Sequence, residues 1–202
     1  MDAIAGELNM NDINKIETVI KKSIEVKTRT LEDKDLLNLI IDVVDLLKKC
    51  ISSGNKLLIA GNGGSAADSQ HMAAEFVSKF YFDRKALPAI ALTTDTSILT
   101  SISNDYEYAN IFARQIEAIG KSGDVFLAIT TSGNSKNLIQ ASKIAKTMGV
   151  TVVGLTGNNG GLLKDFCDIV LDIKDDDTPR IQETHLLVEH IICELIELEY
   201  RN

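Results

Sequence analysis

Cysteine is scarce in this chain and badly placed for cross-linking. Cys50, Cys167 and Cys193 are odd in number and form no CxxC pair. That excludes a disulfide framework and fits reduced thiols in a cytoplasm. Positive charge is also short: 21 Lys and Arg against 29 Asp and Glu leave a net charge of −8. A nucleic-acid backbone wants a basic patch, so no nucleic-acid partner is expected. Long apolar runs are missing too. The stretch from Leu36 to Leu47 is broken by Asn38, Asp42 and Asp45, which leaves nothing able to span a bilayer. The first ten residues, MDAIAGELNM, lack the basic start and long apolar core of a signal peptide. A cytoplasmic protein with no membrane partner is the expectation. What remains is ordinary for a soluble globular chain: 202 residues, 45% hydrophobic and 25% charged. That length suits one domain with a substantial core.

Two helices open the chain. Asn11 or Asp12 can cap the first, with Ile13, Ile16, Ile20 and Ile24 at helical spacing. The second runs from about Glu32 to Ser52 and stops at Gly54. Its apolar stripe, Leu36 through Ile51, is wide enough to want partners on more than one side. Residues 1–54 are therefore expected to form a helical hairpin that packs on the domain and on another copy. Over 55–202 the pattern alternates. Short apolar runs predict strands at Leu57–Ala60, Ala89–Leu92, Val125–Ile129, Thr151–Leu155 and Ile169–Ile173. Helices fit between most of them: Ala66–Phe80, Thr96–Ala118, Asn137–Met148 and a short turn at Leu162–Phe166. A last helix starts with Thr178 as N-cap and Pro179 at N1 and runs to about Glu199. Apolar strands separated by helices imply an α/β fold: a doubly wound, mostly parallel five-stranded sheet covered on both faces. Ligands in such folds bind at the carboxyl ends of the strands.

The stretch KLLIAGNGGSAADSQHMAAE, residues 56–75, places a strand, a tight glycine loop and a helix start in a row. Free N–H groups and the positive end of the helix dipole make the loop at Gly61 to Ser65 an anion site. It contains no Lys or Arg, so backbone amides and Ser65 would hold the charge. A second cradle, Thr130-Thr131-Ser132-Gly133-Asn134-Ser135, follows the third strand. Capping alone would explain one hydroxyl; four in six residues point to a phosphate. A dinucleotide reading of Gly61 to Ala66 wants an acidic residue about 20 positions on, at the tip of the next strand. Asp95 comes too late for that.

All three histidines lie on two helices. His71 and Glu75, spaced i, i+4, share one face. The final helix carries Gln182, His185 and His190. His and carboxylate with another His suit zinc. Gln182 and His190 are about 12 Å apart along their helix, so one ion takes both only if they lean together or come from different subunits. His185 points roughly 140° away from His190 and reads as supporting or structural, and Cys193 as core.

Taken together, GNGGSAADSQHMAAE (61–75), LTTDTSILTSISND (92–105), TTSGNS (130–135), LTGNNGG (155–161) and RIQETHLLVEH (180–190) resemble the sugar isomerase (SIS) domain family, and within it the phosphoheptose isomerases. The resemblance covers nearly the whole chain. It implies a flavodoxin-like SIS fold, a cytoplasmic homotetramer with active sites between subunits, and conversion of D-sedoheptulose 7-phosphate to D-glycero-D-manno-heptose 7-phosphate for bacterial lipopolysaccharide or capsule. It implies zinc on His71, Glu75, Gln182 and His190. Substrate contacts fall on Asn62, Gly63, Gly64, Asn104, Asp105, Thr130, Thr131, Ser132, Ser135 and Gln182, with Ser65 and Glu75 beside them. Glu75 and His190 are the expected acid–base pair. Thr130 departs from the serine of the family pattern but keeps the hydroxyl. The rival readings are a non-catalytic SIS protein that binds a partner, an isomerase of another phosphosugar, and a sugar-phosphate-sensing regulator. The last would need a basic DNA-binding region that residues 1–50 do not supply.

Overall fold

A computed structural model describes residues 10–201 of the chain. Five strands, β1 (Leu57–Gly61), β2 (Ala89–Ala91), β3 (Val125–Thr130), β4 (Thr151–Gly157) and β5 (Ile169–Ile173), form one sheet in the order β2-β1-β3-β4-β5. Every pairing is parallel. The order is that of flavodoxin-like folds, with its reversal between β1 and β3. The expected fold class is the observed one.

Parallel strands need both faces covered, and the strand residues show how. Along β1, Leu57 and Ile59 join one core with Val125, Leu127 and Ile129 of β3, while Leu58 and Ala60 join a second with Phe126 and Ala128. The first core is closed by α2 (Lys34–Ser52), α3 (Gly64–Val77) and α7 (Thr178–Glu199), the second by α4 (Thr96–Asp105), α5 (Ala113–Ile119) and α6 (Lys136–Thr147). Successive strand side chains point to opposite faces, so a fully apolar strand feeds two cores at once.

α1 (Met10–Glu32) precedes α2, with only Asp33 between them. Asp33 accepts the Leu36 N–H as the cap of α2. The far end of α1 is tied down: Val26 is buried, Lys27 pairs with Glu183 and Arg29 with Asp175. Nearer its start, α1 leaves apolar side chains in the open. Ile13, Ile16, Ile20 and Ile24 are each at least half exposed.

Several boundaries differ from the sequence expectation. α1 is already helical at Met10, so Asn11 and Asp12 lie inside the helix rather than at the position before it. α7 begins at Thr178, with Asp177 at the cap position and no side-chain capping bond. α3 ends at Val77, before Phe80. The single helix expected over Thr96–Ala118 is broken into α4, a 3-10 turn at Tyr108–Asn110, and α5. Its apolar spacing runs on unbroken, but the Tyr108 hydroxyl bonds Asn62 across the domain, and a straight helix could not deliver it there.

Three carboxylates brace this frame. Lys174 and the Leu36 N–H hold the Asp33 carboxyl below its usual range. Burial pushes Asp168 up, but Lys146 and the Val152 N–H outweigh it and hold it low. Burial opposes Glu197 likewise, and three backbone N–H groups with Arg84 bring it down. Each folded carboxyl therefore titrates below its unfolded counterpart. The stabilisation is complete above the unfolded value of about 4 and is lost as pH falls through the folded values. The melting temperature should drop progressively between about pH 5 and pH 3, followed by circular dichroism; a flat profile would contradict this assignment.

Candidate active site

The carboxyl ends of β1 and β3 flank the point where strand order reverses. After β1 the chain makes its glycine loop. A Cβ on Gly61 would lie 2.4 Å from the Ser65 carbonyl oxygen, and Gly63 has a φ of +58°. Only glycine allows both the close approach and the left-handed turn. α3 then starts at Gly64, two residues earlier than expected, with Gly63 and Gly64 exposed, Asn62 half-buried and Ser65 buried.

After β3, the Thr130 hydroxyl lies 3.1 Å from that of Ser135 and 3.5 Å from that of Ser132. Ser135 stands at the N-cap of α6 and makes no capping bond. Its hydroxyl is therefore turned to its neighbours in the loop, which is what a phosphate cradle requires and a cap does not. Gly133, with a φ of +64°, packs its backbone on Gly160, and the Leu163 N–H bonds its carbonyl. The β4 loop thus fixes the cradle from behind.

The two loops are joined across the crevice. Asn62 donates to Asn137 Oδ1 over 3.0 Å, and Asn137 donates back to Asn62 Oδ1 over 2.8 Å. Tyr108 donates to the same Asn62 oxygen. Asn62, Tyr108, Ser135, Lys136 and Asn137 line an open groove of about 520 Å³. Asn104 and Asp105 bond each other at the exposed end of α4. Among the described residues, their side chains form no hydrogen bond or ion pair with another member of the predicted set. Thr131 follows Thr130, half-buried.

α3 and α7 carry the remaining groups. His71 Nε2 lies 3.2 Å from Glu75 Oε1 and 3.2 Å from His190 Nε2. Helical spacing explains the first contact and helix packing the second. Gln182 does not join them. Its amide donates to Asp68 Oδ2 and rests against Gly64, whose Cβ, if present, would lie 2.0 Å from Gln182 Nε2. His185 turns into the core and meets the Thr156 carbonyl oxygen.

No three His, Cys, Asp or Glu side chains among the described residues already close into a metal cage. The pair spacing nevertheless fits one ion. Bonds of about 2.0–2.1 Å to imidazole nitrogens put tetrahedral neighbours about 3.3 Å apart, close to the separation seen here. Two imidazoles and a carboxylate are also the donor set zinc prefers.

Two buried groups behind this cluster, Glu189 and His185, are held neutral. Burial, with the Asp68 carboxylate, pushes Glu189 up to about 9. Burial brings His185 down to about 4, against its bond to Thr156. Burial also raises Asp68, against the Gln182 bond and His71. Asp68 was readable in principle, three residues before His71 on one helix face. Tyr108 and Asn137 carry no such signal, because their contacts cross 46 and 75 residues.

A parallel sheet in this order, with hydroxyl and glycine loops at its carboxyl edge, defines an SIS-domain protein, and the SIS domain family model matches residues 12–157. The curated relatives narrow this further. The phosphoheptose isomerase of Clostridium acetobutylicum is 54% identical over 186 residues, which is 92% of this chain and 95% of the relative. That of Aneurinibacillus thermoaerophilus is 53% identical, covering 93% and 94%. Among solved structures, phosphoheptose isomerases of Neisseria gonorrhoeae and Francisella tularensis superpose with TM-scores of 0.86 and 0.88. They are 38% and 35% identical, over 92% of this chain and 98% of theirs. The chain belongs to the phosphoheptose isomerase family and is an enzyme of the phosphosugar isomerase class.

Gly64→Ala would push only the flexible end of Gln182. It should leave the melting temperature within about a degree while lowering turnover about tenfold or more. Unchanged turnover would show that the position of Gln182 does not matter.

Proposed function

We propose that this enzyme interconverts D-sedoheptulose 7-phosphate and D-glycero-D-manno-heptose 7-phosphate through an enediol. The observation that carries this reading is the His71–Glu75–His190 cluster on two helices, in a chain that also forms a hydroxyl cradle needing no basic residue. Moving a proton between adjacent carbons needs a base near carbon, an acid at oxygen and stabilisation of negative charge. Glu75 takes the carbon proton and returns it to the neighbouring carbon. His190 exchanges a proton at the carbonyl oxygen. The hydroxyls of Thr130, Ser132 and Ser135 and the amide end of α6 hold the phosphate, and Asn62, fixed by Asn137 and Tyr108, orients the chain between. Distance from phosphate to reacting carbons thereby sets the register.

Zinc belongs to the same reading, on His71, Glu75 and His190, with Gln182 swinging from Asp68 to complete the set. When bound it supplies Lewis-acid polarisation of the sugar oxygens. A homotetramer is supported by the exposed Ile13, Ile16, Ile20 and Ile24 stripe, an apolar surface that another copy would cover. In this reading the enzyme works in a bacterial cytoplasm, supplying heptose for lipopolysaccharide or capsule. A partner-binding SIS protein would have no use for the acid–base cluster. An isomerase of a different phosphosugar is the alternative that assay decides.

Two results follow. Purified protein should turn over sedoheptulose 7-phosphate, lose activity on chelation and regain it with zinc. Turnover indifferent to exhaustive, verified zinc removal would remove the metal from the account. Glu75→Gln should lower kcat by about 10²–10⁴-fold with the fold intact, and near-normal turnover would remove Glu75 from the mechanism.

A further inference from the structure

Beyond the cluster, α7 carries a buried, ion-paired carboxylate, Glu197, with no part in the proposed chemistry. Glu197 lies seven residues after His190, two helical turns along the same face. It is 1% exposed and pairs with Arg84, the two side chains being 1% and 2% exposed. The pair is unusually well connected. The Glu197 carboxylate accepts the backbone N–H groups of Phe80, Tyr81 and Phe82 and the Arg84 Nε, the last over 3.1 Å. Arg84 donates through Nη2 to the Glu75 carbonyl oxygen over 2.8 Å and through Nη1 to that of Phe76 over 2.9 Å.

These bonds converge on the reacting groups from two directions. The Arg84 guanidinium caps the last turn of α3, whose carbonyls have no partners within the helix, and one of those carbonyls belongs to Glu75 itself. Glu197 holds the loop that follows α3, and that loop lays the Phe80 ring 5.6 Å from the His190 ring. His190 also neighbours His71, with ring centroids 5.0 Å apart. One buried ion pair therefore ties α3 to α7 at the level of Glu75 and holds the loop that sets the Phe80 ring against His190. A pair serving stability alone would have no need to reach the Glu75 carbonyl or to seat Phe80 on His190.

The geometry points to Arg84 and Glu197 as positioning residues that set the separation of Glu75 and His190. This inference rests on the isomerase reading above. Its test uses the full chain carrying Glu197→Gln, which keeps the shape and removes the charge, and Arg84→Lys, which keeps the charge and removes the fork. Sedoheptulose 7-phosphate turnover is measured together with zinc affinity by competition against a chromophoric chelator. The expected result is a fall in kcat and in zinc affinity of about 10- to 100-fold each, with KM unchanged because the Thr130–Ser135 cradle follows β3, apart from the elements the pair joins. Wild-type kcat and zinc affinity in a folded variant overturn the inference, and so does a loss confined to KM or to melting temperature. Removing one partner of a buried pair is costly, so Phe80→Leu, which leaves the pair intact, decides the matter if neither variant folds. It should lower both quantities in the same way, and wild-type values there overturn the inference. Absence of turnover in zinc-replete wild type would sink the isomerase reading alone, and the zinc affinities would still decide the role of the ion pair.

Discussion

A parallel sheet buried on both faces has no side chain to spare for chemistry along its strands. Leu57 to Ala60 and Val125 to Ile129 are all committed to one core or the other. Polar function is driven to the carboxyl edge, where the strands end and backbone N–H groups are free. The reversal of strand order between β1 and β3 then opens a crevice at one place on that edge. The reciprocal Asn62–Asn137 bonds span that crevice and fix the two loops against each other. Every other functional feature is located relative to this gap.

Two helices carry the groups proposed to react. α3 leaves the first loop directly, so His71 and Glu75 are carried on the same rigid element as Gly63 and Gly64. α7 arrives from the far end of the chain and packs beside α3. The contact between His71 and His190 is therefore a consequence of core packing: Met72 and Phe76 on one helix and Val188 and Ile192 on the other are buried in the same core. Site geometry and hydrophobic packing are coupled, and small displacements of either helix are felt in the cluster. Gln182 stands apart from the cluster, held by Asp68 and packed into the space that Gly64 leaves.

The strands were legible because buried parallel strands are uninterrupted apolar runs, and β5 falls where those runs end. The cradles were legible because glycine and hydroxyl residues crowded at strand ends have few purely structural explanations. The break at Tyr106 was not. Local periodicity continues through it, and the chain turns because of a contact between Tyr108 and Asn62 that spacing does not encode. Gln182 shows the same limit from the other direction. The resemblance assigns it to the ligand set, and its bond to Asp68, from a helix 114 residues away in sequence, carries no signal in the spacing. Arg84 and Glu197 carried no local signal, since a charge on a loop and a charge on a helix look solvated until the fold buries them together.

The most direct measurement is a crystal structure of the Glu75→Gln protein with sedoheptulose 7-phosphate bound. The account predicts the phosphate on the hydroxyls of Thr130, Ser132 and Ser135, and the C1–C2 end of the sugar against His190 and the residue at position 75. A sugar bound in the opposite sense, or one whose phosphate lies outside the β3–α6 cradle, would contradict it.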